Sequence, residues 1–139
     1  MNDYIAKPFQ SALSPSKLPL LDATNLEDLG TALPLDNLAD LVTLYLHDAK
    51  SQMGEISAYA KAGDLPGIAR QAHTLVSSAG NLGALQTSAL ARNLEHFCQA
   101  GNLDGLTPLL DELGQSVDQS CAALVAWLDA RRAGMQVSA

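Results

Sequence analysis

The sequence predicts an all-α fold, an antiparallel four-helix bundle with a short additional N-terminal helix. Three observations predict it. Apolar residues recur at steps of three and four through four long segments, glycine and proline fall between those segments, and no convincing strand pattern follows residue 20. At 139 residues the chain has room for one domain of ordinary size, able to bury roughly two thirds of its unfolded surface around a single core.

The elements follow in order. Thr24 and Glu27 in the stretch TNLE have capping-box spacing, which starts a short helix there and ends it before Pro34. From Asp36 the positions Leu38, Leu41, Val42, Tyr45, Leu46, Ala49, Met53 and Ile56 make one long amphipathic helix that closes near Gly63. Asp64 can cap the next, with Pro66 tolerated in its first turn, and Ile68, Ala72, Leu75, Ala79 and Leu82 carry it to the turn GNLG. Leu90, Leu94 and Phe97 mark a fourth helix, stopped by Gly101. Thr107 and Pro108 open a fifth, in which Leu109, Leu110, Leu113, Val117, Cys121, Leu124, Val125 and Leu128 lead to Arg131 and Arg132 at the end that favours cations. Short connections make neighbouring helices antiparallel. The bundle should span residues 21–133, with a flexible tail over 134–139.

Fifteen acidic against eight basic side chains give a formal charge of −7, which repels a phosphate backbone and an anionic lipid surface alike. Nucleic acid and membrane contact are therefore not expected. No apolar run reaches the roughly 20 residues that span a bilayer, and the N-terminus lacks the charged-then-apolar order of a secretion signal, so a soluble, cytoplasmic chain is expected. Cys98 and Cys121 have apolar neighbours and no zinc-like spacing, and read as reduced packing residues.

The stretch AHTLVSSAGNLG, residues 72–83, sets one histidine among small and apolar residues. On a helix wheel with Ile68 at zero, Ala72, Leu75, Ala79 and Leu82 fall within about 40°, whereas His73 falls about 140° away. The imidazole should point to water. Ala69, Ser77 and Gly80 share its outer sector, with Arg70 and Val76 flanking, so another protein surface can come close. A metal site would need a second ligand three or four residues away, and there is none. His47 and His96 lie on other helices, and Ser77 and Ser78 have no orienting third group for nucleophilic catalysis.

AHTLVSSAGNLGA, followed by ALARNLE at residues 89–95, resembles the histidine-containing phosphotransfer (HPt) domain of bacterial phosphorelays, whose pattern is roughly AHxLKGSAxxxG with a later ALxxxLE. The resemblance implies that His73 is a phosphoryl acceptor, through the ring nitrogen farther from the backbone, exchanging the group with an aspartate on a response-regulator receiver domain. It implies a carrier without its own catalytic centre or bound cofactor, with Mg²⁺, acidic pocket and lysine supplied by the receiver. Ala69, Val76, Ser77 and Gly80 then become the receiver-docking surface of a monomer. Histidine, with an unperturbed pKa of about 6.5, needs no special activation near neutral pH.

Glu95, at the Leu-Glu position of the family, is the candidate to accept a hydrogen bond from the other ring nitrogen, though a solvated surface carboxylate fits the sequence equally well. The chain departs from the pattern at Val76 and Ser77, where the family commonly has Lys and Gly. Arg70, one turn before His73, or Arg92 on the next helix would then screen the phosphoryl charge. These two departures keep open a reading of another class, a phosphorylation-independent helical adaptor or dimerisation module.

Residues 1–9, MNDYIAKPF, resemble the end of a receiver domain, whose signature there is (M)(N/D)DYxxKP; Lys7 and Pro8 match its Lys-Pro pair. That resemblance implies a linker over residues 10–20 and a parent chain that is a bacterial hybrid sensor histidine kinase anchored in the inner membrane, with this segment at its C-terminal end.

Overall fold

The computed structural model describes residues 15–101 and 103–138, the last four as backbone only. The receiver-like residues 1–9 lie outside the described residues. A 3₁₀ turn at Pro15–Lys17 precedes five helices: α1 (Ala23–Ala32), α2 (Leu35–Lys61), α3 (Leu65–Asn81), α4 (Leu85–Gln99) and α5 (Leu106–Ser138). Among the described residues there is no strand. The four longer helices form an antiparallel bundle in which α3 packs between α2 and α4, and α5 closes the ring between α4 and α2. The short α1 covers one end.

Local chemistry accounts for the helix boundaries. The Asp22 side chain accepts from the Asn25 backbone N–H, so Asp22 and not Thr24 is the N-cap of α1. Both residues suit a cap; Asp22 takes the role because its backbone is extended at ψ 100°, whereas Thr24 is already inside the helix. Asp64 caps α3 as the sequence suggests, accepting from Gly67 N–H at 3.0 Å, with Pro66 in the first turn. The α2–α3 and α3–α4 connections are built alike. Gly63 at φ 70° and Gly83 at φ 75° supply a left-handed residue, and the next N–H reaches back five residues, Asp64 to the Tyr59 carbonyl and Ala84 to the Ala79 carbonyl. Each turn reverses the chain within three residues, which is what lines α3 up against both neighbours.

The core is the set of apolar positions that the periodicity marks. Leu38, Val42, Tyr45, Ala49 and Ile56 of α2 meet Ile68, Ala72, Leu75 and Ala79 of α3, Leu90 and Leu94 of α4, and Leu113, Val117, Cys121, Leu124 and Leu128 of α5. Each large aliphatic side chain buried here contributes about 1.5–3 kcal/mol relative to exposure. Val125, expected on the apolar stripe, is 39% exposed: the stripe is narrower at that level than the run Leu124-Val125 suggests. Cys98 and Cys121 are buried free thiols, both held above the usual thiol pKa by burial.

Four hydroxyls inside the core have a determined direction. Ser120 Oγ donates to the Val117 carbonyl at 3.0 Å, so it accepts from Tyr45 Oη at 3.1 Å and from Thr87 Oγ1 at 3.3 Å. Thr87 has then used its proton and accepts from Ser116 Oγ at 2.8 Å. This chain ties α2, α4 and α5 together with no buried side-chain polar atom unpaired among the described residues.

Two segments extend beyond the bundle expected from sequence. The described part of the expected linker lies along α4: the Gln86 amide donates to the carbonyls of Ser16 (2.9 Å) and Leu18 (3.2 Å), and Asp22 N–H donates to Gly83 O at 2.7 Å. The tail expected from residue 134 is helical as far as Ser138, an extension of α5. Near that end Arg131 lies over the Trp127 ring, 5.5 Å from its centroid, and donates to Gly30 O of α1 at 3.1 Å. A Cβ on Gly30 would stand 2.5 Å from the Arg131 guanidinium carbon, so the glycine makes room for this clasp.

Candidate functional site

The site sits where α3 and α4 run side by side. Ser88 Oγ donates to the Val76 carbonyl at 2.8 Å, and a Cβ on Gly80 would meet only Ser88 Oγ, at an ordinary 3.5 Å. Small residues on both helices thus bring the two backbones close. His73 emerges from the edge of this contact with 70% of its side chain exposed, as its helical angle predicts.

The imidazole is not loose. Its Nδ1 lies 2.9 Å from Oε2 of Glu95 on α4, and a carboxylate oxygen can only accept, so Nδ1 carries the proton. In the neutral ring the lone pair is then on Nε2. Glu95 itself is only 12% exposed, and Gln99, one turn further along α4, donates its amide to the same Oε2 at 3.5 Å. Ala69, Arg70, His73, Glu95 and Gln99 line a shallow depression of about 360 Å³ open to solvent.

The structure places Glu95 against His73, the contact the family resemblance implies, but two docking candidates are placed otherwise. Ala69 and Val76 are each only 8% exposed. They sit about 100° and 80° from Ile68 on the wheel, the sector that α4 covers, because a bundle helix buries two directions rather than one. Ser77 and Gly80 are exposed, and Arg70 and Arg92 are exposed on α3 and α4 respectively. Arg92 is one turn before Glu95. Arg70 lies over the Tyr59 ring of α2, 5.9 Å from its centroid. Sequence reasoning singles out neither Gln99 nor Tyr59; Gln99 has the signal of a four-residue step from Glu95, whereas nothing in the spacing of Tyr59 and Arg70 announces their contact. His47 and His96 are exposed on α2 and α4. Among the described residues no three His, Cys, Asp or Glu side chains gather as a metal site, and no helix is long and apolar enough to cross a membrane.

Of the three exposed imidazoles, on α2, α3 and α4, His73 is the one whose Nδ1 is held by a carboxylate of a neighbouring helix. The family model described as "Hpt domain" matches residues 40–127, well over half of the chain, and the chain belongs to that family. It is a histidine phosphotransfer module of a phosphorelay, and Hpt domains are phosphoryl carriers. Comparison with solved structures finds histidine-containing phosphotransfer protein B (HptB) from Pseudomonas aeruginosa PAO1, with a TM-score of 0.75, 19% identity, and coverage of 81% of this chain and 96% of that one. At that identity the likeness is one of fold. No curated protein sequence matches.

Proposed function

We propose that His73 is the phosphoryl acceptor, through Nε2, and that Glu95 fixes its tautomer. The observation that carries the reading is the 2.9 Å bond between Nδ1 and Glu95, which commits the proton to one ring nitrogen and leaves the other, exposed, as the nucleophile. The Nε2 lone pair attacks the phosphorus of a receiver's aspartyl phosphate. The N–P bond forms as the P–O bond breaks, and the aspartate carboxylate leaves with the electron pair. Nδ1 keeps its proton, so the step needs no base, and the positive charge the ring acquires faces the Glu95 carboxylate. Run backwards, the same step passes the group on.

The receiver brings its own Mg²⁺ and acidic pocket, and this chain supplies a positioned ring and an open face. That face is Ser77 and Gly80, beside which Ala69 and Val76 form the floor. Arg70 and Arg92 are the cations available to screen the phosphoryl. The parent chain is a hybrid sensor histidine kinase, a reading supported by the receiver-like stretch MNDYIAKPF.

The test is incubation with a phosphorylated receiver domain, followed by assay for acid-labile phosphate on this chain. His73→Gln should abolish the label while circular dichroism stays helical; His47→Gln and His96→Gln should leave it. Label persisting on the His73 variant overturns the assignment.

A further inference from the structure

We infer that Tyr59 is a positioning residue for phosphotransfer, its ring carrying the Arg70 guanidinium to the edge of the His73 depression. The inference rests on the reading of His73 as acceptor. Arg70 lies 5.9 Å from the Tyr59 ring centroid, inside the roughly 6 Å range of a cation–π contact. It also lines the same depression as His73, Glu95 and Gln99, one helical turn before the imidazole.

The ring is in place because the sequence makes room for it. A Cβ on Gly67 would stand 2.5 Å from Tyr59 Cδ1 and 2.7 Å from Cγ, so the ring fills the space that any other residue at 67 would take. Tyr59 is on the last turns of α2 and Gly67 on the first of α3, held across the turn by the bond from Asp64 N–H to the Tyr59 carbonyl. An aromatic platform is thereby fixed against the start of the helix that bears His73.

The chemistry suits the position. A guanidinium stacked on a ring uses its face, which leaves its in-plane N–H donors for an anion. An unsupported arginine would spread over many rotamers; one laid on a ring is held to fewer, beside the depression that its residue lines. Arg70 is the sole Lys or Arg on α3, and position 76, where the family commonly has lysine, holds a buried valine. The Tyr59–Arg70 pair thus offers cationic screening to a phosphoryl on Nε2 from the opposite side of His73.

The test uses the full chain and phosphoramidate as donor, whose P–N bond breaks with loss of ammonia as the His73 N–P bond forms, so no receiver is involved. Phosphohistidine formation is followed by ³¹P NMR at low and high salt for the parent chain, Arg70→Gln, Tyr59→Leu, Tyr59→Phe and the Arg70→Gln/Tyr59→Leu double variant. Arg70→Gln and Tyr59→Leu should each slow formation about two- to fivefold at low salt, the effect of an exposed cation–π contact, and by less at high salt. The double variant should be no slower than Arg70→Gln alone, and Tyr59→Phe, which keeps the π face, should match the parent. Tyr59→Met fills much of the same space without that face and should repeat the Leu result; a parent-like rate in Tyr59→Met means that Leu acts by loosening the turn, and overturns the inference. Slowing by Tyr59→Leu that is equally large in the Arg70→Gln background makes the ring merely structural and overturns the inference. So does a parent-like rate in Tyr59→Leu or Arg70→Gln. A parent chain that takes no phosphate on His73 overturns the acceptor reading together with this one, whereas a labelled parent with unaffected variants overturns this one alone.

Discussion

On the proposed reaction Glu95 would act on His73 in two ways that substitution can separate: as a hydrogen-bond acceptor that selects the tautomer, and as a negative charge beside a ring that would turn cationic on phosphorylation. Glu95→Gln keeps an acceptor oxygen and removes the charge. Hydrogen bonds to charged groups are worth about 1.5–3 kcal/mol against about 0.5–1.5 for neutral pairs, so a difference near 1 kcal/mol, about fivefold in the rate of phosphohistidine formation, is expected. Glu95→Ala should be slower still, both measured with phosphoramidate so that docking plays no part. The outward direction of His73 was legible at this scale because helical angle alone sets it, whereas the acceptor role assigned to it comes from the resemblance of AHTLVSSAGNLGA to the family pattern. The Glu95 contact needed the family motif, since nothing in the spacing of residues 73 and 95 says that two helices bring them within 2.9 Å. Gln99 and Tyr59 escaped because each meets the site through another side chain, Gln99 through Glu95 and Tyr59 through Arg70.

At the scale of the helix, α3 is the element whose reading needed most revision. One wheel assigns one buried direction, but α3 faces α2 on one side and α4 on the other, so Val76 and Ala69 are covered while Ser77 is not. A lysine at 76 would therefore lose its burial and have to thread its stem out beside α4. Val76→Lys is expected to cost about 1–2 kcal/mol, a fall of roughly 3–8 °C in Tm, whereas Ser77→Lys should leave Tm within a degree or two. Thermal unfolding followed by circular dichroism checks both. Gly80 faces only Ser88 Oγ at contact distance, so a side chain there is tolerated by the fold. Gly80→Gln should accept phosphate from phosphoramidate at the parent rate and from a phosphorylated receiver more slowly; equal rates from the receiver would place the docking face elsewhere.

Across the whole molecule, the four hydroxyls that join α2, α4 and α5 constrain how the bundle packs. They were illegible in the sequence: Thr87, Ser116 and Ser120 fall on apolar faces and read as interruptions, and only the assembled core shows that each interruption meets another. Burial is the main cause that lifts the Tyr45 phenol above its ordinary value near 10, partly opposed by its bond to Ser120. Below pH 10 the resulting contribution to stability is fully present. As pH rises past 10 the unfolded chain releases this proton while the folded chain holds it, so stability falls through the raised folded value. Tyr45→Phe should lose about 0.5–1.5 kcal/mol at neutral pH, read from the urea midpoint, and should show a shallower decline between pH 10 and 12. The helices, their order and the core positions, by contrast, followed from periodicity and from Asp64, Gly63 and Gly83, whose chemistry is local.

The seam between residues 15–22 and the start of α4 has a consequence for tethering. Because Gln86 grips the carbonyls of Ser16 and Leu18 and Gly83 receives Asp22, the chain ahead of the bundle is fastened at the α3–α4 turn, on the two helices that carry His73 and Glu95. A domain joined upstream would be tethered ahead of this seam rather than at the N-cap of α1, and the six residues between Pro15 and Asp22 would contribute no slack. Since the local concentration of a tethered partner falls roughly as the −3/2 power of linker length once the span is reached, cutting the seam with Gln86→Ala would dilute an attached receiver at His73 without altering a single residue at which the two meet.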